Sequence, residues 1–483
     1  MDESKLERLR PVGCLEKYST ARNPPRFYTN VAVTASYVLP SSCALPVRDC
    51  VYGALETLIE EHPALSAIPL GEDSLDPYFV RLPEVDLDRC VSFREREREK
   101  KVAAGDGERD TELDELLNEQ HNIPFAAPWP YWRLCILTDP QEGRRFTAAY
   151  VWHHAIGDGT SGKAFHGTLL AALGAICARS SYSALPAGST AVKSVVVSPR
   201  TPLLPSLEES CPMPLSFFYI LWSLFRAKVW KPARDPGLWT GSKTFTPLHN
   251  TVRHLVVCER ETTAFRDACR ENRTTVTAGL QVLLARALFK HIPEQYTRLA
   301  SEGAISARRW LTDGRITEDS IGVWVGVYYE DYSRASLYND GDAFAFPWDE
   351  ARRAKQTIDT ALSRRGSNSP VGLLKYVRDY VREIFLPKLG QERELSFEVS
   401  NIGVFTETAD PGDPAEADEE PRIERMVFTQ SANVFGCAIS TSVVTGADGC
   451  LVLGFSWQRG VVEDSLMDGF VASVKQAFGS FKQ

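Results

Sequence analysis

The strongest constraint on the fold of this chain is the segment "FTAAYVWHHAIGDGTSGKAF", Phe146–Phe165. Its opening, "FTAAYVW", is rich in aromatic, β-branched and small apolar residues, a composition typical of a buried β-strand. The residues after the glycine-containing turn, "SGKAFHGTLLAALGAICA", have the periodicity of a helix. A strand, a tight turn and a helix are therefore predicted here, with two adjacent histidines where the strand ends.

Strand-like and helix-like segments alternate along the rest of the chain. The first half contains the predicted strand "RFYTNVAVTASYVL" and the predicted helix "VRDCVYGALETLIEEHPAL". The second half contains the strands "TVRHLVVC" and "LSFEVSNIGVF", a strand "GAISARRWL" and the helix "TVTAGLQVLLARALFKH". This mixture, without a repeat, places the chain in the α/β or α+β class.

The chain is too long for a single core. Its 483 residues, 43% of them hydrophobic, favour two domains. A proline-rich change of composition begins near Gly188, and we interpret it as the connection between two halves. The predicted division is an N-terminal domain over residues 1–187, a crossover linker with an apolar helix over 188–245, and a C-terminal domain over 246–483.

Charge and targeting signals narrow the class of protein. A net charge of -9, without a block rich in Lys and Arg, argues against a nucleic-acid partner. The eleven cysteines include no CxxC pair, which favours reduced and mostly buried thiols. Because the N-terminus carries neither a secretory nor a transit signal, we predict a cytoplasmic protein.

The most apolar segment is "MPLSFFYILWSLFRAKVW", Met213–Trp230. Its uninterrupted apolar part is shorter than the roughly 18 to 20 residues of a membrane span, and it ends at Arg226 and Lys228. We predict a buried or packed helix. The alternative is a helix that lies on a membrane surface, at the endoplasmic reticulum or on a lipid droplet.

The turn after the predicted strand comes near a phosphate-binding loop. Gly157, Gly162 and Lys163 fit that motif, but Ala164 stands where a Ser or Thr must ligate magnesium. A nucleotide site is therefore disfavoured.

For the two adjacent histidines, we consider a metal site, acid–base catalysis and a structural role. Successive strand residues point to opposite faces, so His153 and His154 do not readily bind one ion, and no cysteine or third histidine lies at ligand spacing. No metal site is predicted. A general base that works near neutral pH and a pair of hydrogen-bonded structural histidines are the interpretations that remain.

"HHAIGDG" matches the His-His-three residues-Asp-Gly signature of the superfamily built on the chloramphenicol acetyltransferase fold, which includes plant acyltransferases and peptide-synthetase condensation domains. The chain most resembles the fungal and yeast alcohol O-acetyltransferase family. Supporting likeness lies in "LRPVGCLEKYSTAR", "TPLLPSLEE", "TVTAGLQVLLARAL", "ISARRWL" and "LVLGFSWQ". The Asp-Phe-Gly-Trp-Gly element of the plant branch is absent, and "VSNIGVF" stands in a comparable late position.

The resemblance implies two chloramphenicol acetyltransferase-like domains, each a mixed sheet with flanking helices, and an active-site tunnel between them. It implies a monomeric O-acyltransferase without a bound cofactor, which transfers an acetyl group from acetyl-CoA, or another acyl group from its acyl-CoA, to a hydroxyl. The acceptor would be a small lipophilic alcohol or a secondary metabolite. Alternatives within the same fold are a carrier-protein-bound donor, an amine acceptor, and a cyclisation or rearrangement.

The resemblance also implies roles for the residues of the motif. His154, the second histidine, would be the general base, and no acyl-enzyme would form. Asp158 would hold the shape of the loop by pairing with an arginine rather than orienting the base. Arg308 is the matching partner, with Arg309 as the alternative.

Four further residues receive supporting roles. Gly159 would permit the tight turn before the helix. His153 would be packed and hydrogen-bonded. Ser400 and Asn401 are candidates for stabilising the oxyanion or for lining the tunnel.

Overall fold

The computed structural model describes residues 6–97, 108–139, 143–182, 193–230, 233–338, 345–406 and 419–481. Within them the strands are β1 (Glu7–Pro11), β2 (Val31–Val38), β3 (Ala67–Leu70), β4 (Tyr78–Arg81), β5 (Glu84–Asp86), β6 (Val91–Glu95), β7 (Trp132–Thr138), β8 (Arg145–Trp152), β9 (Val195–Val197), β10 (Asn250–Val257), β11 (Arg298–Ser306), β12 (Val325–Ser333), β13 (Phe397–Val404), β14 (Arg422–Gln430), β15 (Ile439–Thr445) and β16 (Leu451–Gln458). The helices are α1 (Cys14–Thr20), α2 (Val47–Glu61), α3 (Leu87–Cys90), α4 (Thr111–His121), α5 (Gly159–Tyr182), α6 (Leu207–Ser210), α7 (Phe217–Lys228), α8 (Glu259–Glu271), α9 (Val276–Phe289), α10 (Arg334–Tyr338), α11 (Trp348–Ser363), α12 (Pro370–Leu373) and α13 (Asp464–Gly479).

A five-stranded sheet has the order β14-β2-β8-β7-β6, in which only β6 and β7 are parallel. β8 is its central strand, and every residue of β8 after Arg145 is buried, which explains the largely apolar sequence of this strand. α5 follows β8 after one turn and packs on β2 and α2. The predicted strand, turn and helix are therefore confirmed.

A six-stranded mixed sheet has the order β10-β16-β15-β13-β11-β12. Three of its four inner strands, β15, β13 and β11, are parallel, and the remaining pairs are antiparallel. α9 packs on β13 and contacts α8, α11 and α13, so it is buried on nearly all sides, which accounts for its apolar character all round. Two small sheets, β1-β4-β3 and β5-β9, complete the strands that the structure describes.

One strand from the second half of the sequence joins the sheet that the first half forms. β14 belongs to the second half of the sequence but pairs with β2 at the edge of the five-stranded sheet, and it also contacts β15 and β16. The chain thus has a mixed α/β fold of two domains, each a sheet with flanking helices, joined by a strand of one that completes the sheet of the other. The predicted boundary at residue 187 lies outside the described residues, and the division into 1–187, 188–245 and 246–483 stays a prediction.

The apolar helix α7 is exposed rather than packed. Phe217, Phe218 and Trp222 are 68%, 81% and 53% exposed. The prediction of a packed helix is therefore wrong for these residues, because a helix that is apolar on every face can bury only the side that meets its neighbours. Among the described helices, none combines the length and the apolar character needed to cross a bilayer.

Candidate active site

Hydrogen bonds and close packing hold the turn between β8 and α5 in one shape. Trp152 Nε1 donates to the Gly157 carbonyl at 2.8 Å, and the His153 amide donates to the Tyr131 carbonyl at 2.9 Å. A Cβ on Gly159 would lie 2.7 Å from Ile402 Cγ2 on β13. Only glycine at this position therefore lets the six-stranded sheet approach the first residue of α5 so closely.

Of the residues that resemble a phosphate-binding loop, Gly157 lies in the turn before α5, and Gly162 and Lys163 lie inside α5. Gly162 packs against Val33 and Trp152, where a Cβ would overlap both side chains. Lys163 Nζ points to the Val404 carbonyl, 3.5 Å away. These residues serve the packing of α5 on the sheets, and they form no cradle of free amides for a phosphate.

His154 lines a cavity between the two large sheets. Its Nδ1 is buried and makes no hydrogen bond with another residue that the structure describes, so Nε2 is the ring nitrogen open to the cavity. The ring centroid lies 5.9 Å from that of Tyr28. Burial, and then the charge of Arg22, lower the pKa of His154 to about 4. The imidazole is therefore neutral at physiological pH.

His153 points away from the cavity into the first domain. Its Nδ1 accepts a hydrogen bond from the Ala155 amide at 3.0 Å, and its Nε2 lies 3.7 Å from Glu72 Oε1. The ring packs edge-on against Tyr131 and Phe125. Burial and the neighbouring His154 lower the pKa of His153 to about 3, so this histidine is a neutral packed residue.

Asp158 and Arg308 meet in a buried bidentate ion pair. Arg308 Nη1 donates to Asp158 Oδ2 at 2.7 Å and Nη2 to Oδ1 at 3.0 Å, and both side chains are 2% exposed. Asp158 also accepts from the Ser161 amide and hydroxyl and from the Trp324 amide. Burial alone would raise the pKa of Asp158, but Arg308 and these amides lower it. No hydrogen bond joins Asp158 to His154 in this described segment, so the geometry is not that of a triad.

The two arginines occupy a short 3-10 turn after β11, not the strand that the sequence predicted. This turn sends the two side chains in different directions. Arg308 also donates to the carbonyls of Thr317 and Ser320, which completes its hydrogen bonding. Arg309 is exposed and lines the cavity.

The cavity has a volume of about 780 Å³, within the range of small-molecule sites. Ser400 and Asn401 on β13 line it together with His154. The Asn401 amide is already used, because it donates to Thr277 Oγ1 at 3.0 Å and accepts from the Gly403 amide at 2.8 Å. Ser400 has no side-chain hydrogen bond to any described residue, which leaves its hydroxyl for a ligand.

The structure adds cavity residues that the sequence did not reveal. They are polar or charged side chains on β11, β13, β14 and the segment between α1 and β2, namely Arg22, Tyr28, Glu302, Glu398 and Gln430. A glutamate in the middle of an otherwise uncharged strand, as in "LSFEVSNIGVF", is the signal that could have marked one of them.

Three thiols converge elsewhere in the first domain. The sulfur atoms of Cys43, Cys50 and Cys177 lie within 4.8 Å of one another, where α2 packs on α5. Cys177 is 18 residues along α5 from Gly159, which is about 27 Å at the rise of a helix. This cluster is thus separate from His154, and the sequence did not indicate it because Cys177 is far along the chain from Cys43 and Cys50.

The chain matches a family model of alcohol acetyltransferases over residues 11–478. The probable alcohol acetyltransferase crmB of Aspergillus fumigatus is 35% identical over 479 residues, which cover 96% of this chain and 97% of the relative. A probable alcohol acetyltransferase of Fusarium pseudograminearum is 25% identical, over 95% of this chain and 93% of its own.

Solved structures share the whole fold. The trichothecene 15-O-acetyltransferase of Fusarium sporotrichioides has a TM-score of 0.70 at 14% identity, over 98% of this chain and 95% of its own. The first condensation domain of the CDA synthetase has a TM-score of 0.60 at 14% identity, over 100% of this chain and 98% of its own. The predicted two-domain fold is therefore confirmed.

Proposed function

The chain belongs to the alcohol acetyltransferase family, and from this premise we propose that it transfers an acetyl group from acetyl-CoA to a hydroxyl of a small lipophilic alcohol, with His154 as the general base. That it is an acyltransferase follows from the family. One observation supports the choice of base: His154 is a neutral imidazole whose free Nε2 faces a cavity bounded by both domains.

In the proposed reaction, Nε2 of His154 takes the proton of the acceptor hydroxyl while its oxygen attacks the thioester carbonyl carbon. The carbon–sulfur bond breaks as the tetrahedral intermediate collapses, and the imidazolium returns the proton to the departing thiolate. The products are the ester and free coenzyme A. Such base catalysis typically contributes about 10²- to 10⁴-fold. No acyl-enzyme forms, so the reaction needs none of the cysteines.

The environment that lowers the pKa of His154 has two consequences for this reaction. The imidazole needs no deprotonation before it acts at neutral pH, and the imidazolium formed during the attack is unstable. The thiolate of coenzyme A, like an ordinary thiol with a pKa of about 8.5, is a much stronger base than this imidazole and takes the proton readily.

The remaining site residues support the base in this proposal. The ion pair of Asp158 and Arg308 holds the loop, and Gly159 lets β13 approach it. Ser400 offers its hydroxyl to the oxyanion of the tetrahedral intermediate. Because one chain supplies both walls of the cavity, the enzyme acts as a monomer that holds acyl-CoA as a co-substrate and needs no bound cofactor.

We further propose that α7 rests on a phospholipid surface. The segment from Met213 to Trp230 contains no acidic residue, and exposed Phe218 and Trp222 accompany an exposed Arg226. This composition suits the headgroup region of an anionic membrane. Phe218→Glu with Trp222→Glu is expected to abolish sedimentation with vesicles that contain phosphatidylserine. Glutamates at the exposed Ser242 and Gln391 serve as the control, and equal sedimentation of both double variants would contradict this surface.

The test of the reaction compares wild type with His154→Ala on acetyl-CoA and a mixed panel of aliphatic, terpenoid and sterol alcohols. Mass spectrometry of the esters and the release of free coenzyme A are the readouts. Ester formation is expected to fall by about 10²- to 10⁴-fold in the variant. His249→Ala, at an exposed position outside the cavity, is the matched control. Equal ester formation by wild type and His154→Ala would overturn the assignment of the base.

A further inference from the structure

Two glutamates stand side by side on the cavity wall that the six-stranded sheet forms. Glu302 on β11 and Glu398 on β13 are direct partners in the parallel ladder. Their side chains therefore point to the same face, about one strand spacing of 4.8 Å apart. Both line the cavity, and within the described ranges neither carboxyl has an ion-pair partner. Carboxyl groups inside a protein are costly unless they are paired or serve a ligand.

A hydrogen bond couples the two carboxyls. Burial, followed by the charge and hydrogen bond of Glu398, raises the pKa of Glu302 to about 8, and burial raises the pKa of Glu398 as well. Glu398 also accepts a hydrogen bond from Gln430 Nε2. Since Glu302 bonds only to Glu398, its remaining lone pairs are open to the cavity. The pair thus presents hydrogen-bond acceptors to the cavity.

A phenol and a guanidinium complete this corner of the cavity. Tyr28 is 6% exposed and lines the cavity, and its hydroxyl has no hydrogen-bond partner among the described residues. Arg22 lies over the Tyr28 ring at 4.3 Å, and its charge acts on Tyr28, His154 and Glu398 together. An orphaned hydroxyl buried in the wall of a cavity, beside unpaired acceptors, indicates a missing hydrogen-bonding ligand.

We propose that Glu302, Glu398 and Tyr28 form a subsite for a second hydroxyl of the acceptor, so that the preferred substrates are diols or polyols. One hydroxyl reaches His154 and is acetylated, while the other donates to the glutamate pair and accepts from Tyr28. This inference rests on the proposed function and specifies its substrate class.

The charge of the cluster favours a neutral donor over an ammonium group. The raised pKa values of both carboxyls weaken the negative charge of the pair at neutral pH, and the positive charge of Arg22 acts on Glu398. A cation would therefore meet the guanidinium without a net attraction, whereas a hydroxyl needs only the open lone pairs. The acceptor's second group is thus a hydroxyl rather than an amine.

The sheet register relates the strand of Gln430 to the strand that ends at the base. Gln430, which holds Glu398, pairs with Val31, and Val31 pairs with Trp152 at the end of β8. Two strand spacings thus separate Gln430 from the strand that carries the base, about 10 Å.

The test uses matched alcohols with one or two hydroxyls. Linear α,ω-alkanediols from the four-carbon to the twelve-carbon member are compared with the 1-alkanols of equal length, and steroid diols with the corresponding steroid mono-alcohols. We expect wild type to prefer the diol by about ten- to hundredfold in kcat/KM over a limited range of lengths, as hydrogen bonds to a charged group imply. Glu302→Gln, Glu398→Gln and Tyr28→Phe are expected to reduce this preference by raising the KM of the diol.

Ser456→Ala is the matched control, because Ser456 lies on the same row of the sheet beyond Ser440 and does not line the cavity. Esters of both series without any diol preference would overturn the subsite and leave the proposed function intact. A change in the KM of acetyl-CoA instead of the diol would assign the pair to the donor and would also overturn it.

A second measurement separates the two proposals if no alcohol is esterified. Saturation-transfer NMR of the same alcohols with His154→Ala reports binding without turnover. Diol binding that is lost in the His154→Ala, Glu398→Gln double variant supports the subsite even though the proposed reaction has failed. Equal binding of diols and mono-alcohols would refute it.

Discussion

The two sides of the turn between β8 and α5 are built in opposite ways. On one side, Asp158 accepts hydrogen bonds from Arg308, Ser161 and the Trp324 amide, and its carboxylate is fully used. On the other side, His154 Nε2 is open to the cavity, and the Tyr28 hydroxyl has no partner in the described chain. Polar groups that maintain the shape of the loop are saturated, whereas those that face substrate are left open.

The largest loss of stability is expected when the ion pair between Asp158 and Arg308 is broken. Asp158→Ala leaves Arg308 charged and buried without a partner, so we expect a loss of about 3–5 kcal/mol in the free energy of unfolding. Denaturant unfolding measures it, together with ester formation. Replacing both residues, with Asp158→Ala and Arg308→Met, removes the uncompensated charge and should recover most of the stability. If the single and double variants are equally unstable, the ion pair is not the cause.

The close approach of β13 to the turn can be broken by one methyl group. Gly159→Ala would force Ile402 and Phe428 away from the start of α5, at an expected cost of about 1–3 kcal/mol in stability. Ester formation should fall as well, because Ser400 lies on the displaced strand. Gly167→Ala in the same helix is the control, since its Cβ would meet nothing closer than 4.0 Å, and helix propensity favours alanine there. Equal effects of the two changes would contradict the packing argument.

The pH dependence of activity tests whether His154 acts as a neutral base with a lowered pKa. The neutral form of His154 is the base, and its pKa of about 4 keeps it neutral throughout the range from pH 5.5 to 8. We therefore expect kcat/KM to stay nearly constant from pH 8 down to pH 5.5. A histidine with the ordinary pKa of about 6.5 would instead lose about fivefold between pH 6.5 and 5.5. Half-maximal activity near pH 6.5 would show that the imidazole is not desolvated.

Acid is also expected to lower the stability of the folded chain, because several of its histidines are buried. His62, His121, His153, His154 and His166 all have pKa values lowered by burial. Between about pH 6.5 and 4 the unfolded chain binds protons that the folded chain does not, so stability falls as the pH falls through this window. Activity below pH 5.5 therefore has to be measured with a parallel record of folding.

The smallest expected effect concerns the glutamate pair. Because the pKa of Glu302 is raised in the folded state, the folded chain holds a proton that the unfolded chain loses between about pH 4.5 and 8, and stability from this group falls as the pH rises. Glu302→Gln should remove that loss, so its stability relative to wild type should be greater at pH 8 than at pH 5.5. Denaturant unfolding at both pH values is the measurement. An unchanged difference between the two proteins would mean that Glu302 ionises normally.

Much of the site was predictable because its signals are local. The His pair at the end of a strand, the glycine before the helix and Asp158 lie within seven residues, and the resemblance of "HHAIGDG" and "ISARRWL" to one family led to the pairing of Asp158 with Arg308 that the structure contains. The exposure of α7 was missed, because an apolar sequence does not say whether a neighbour is available to cover it.

The local elements and the chemistry available to them follow from the sequence: a buried strand that ends in two histidines, a turn that requires glycine, and the family to which these belong. The sequence could not decide which polar groups meet. Glu302 and Glu398 are partners only because β11 and β13 are neighbours in the sheet, and Gln430 reaches them only because β14 crosses to the other sheet. Side-chain periodicity reports the faces of one strand, whereas the order of strands is established by backbone hydrogen bonds between distant segments, and the tertiary structure alone decided that order.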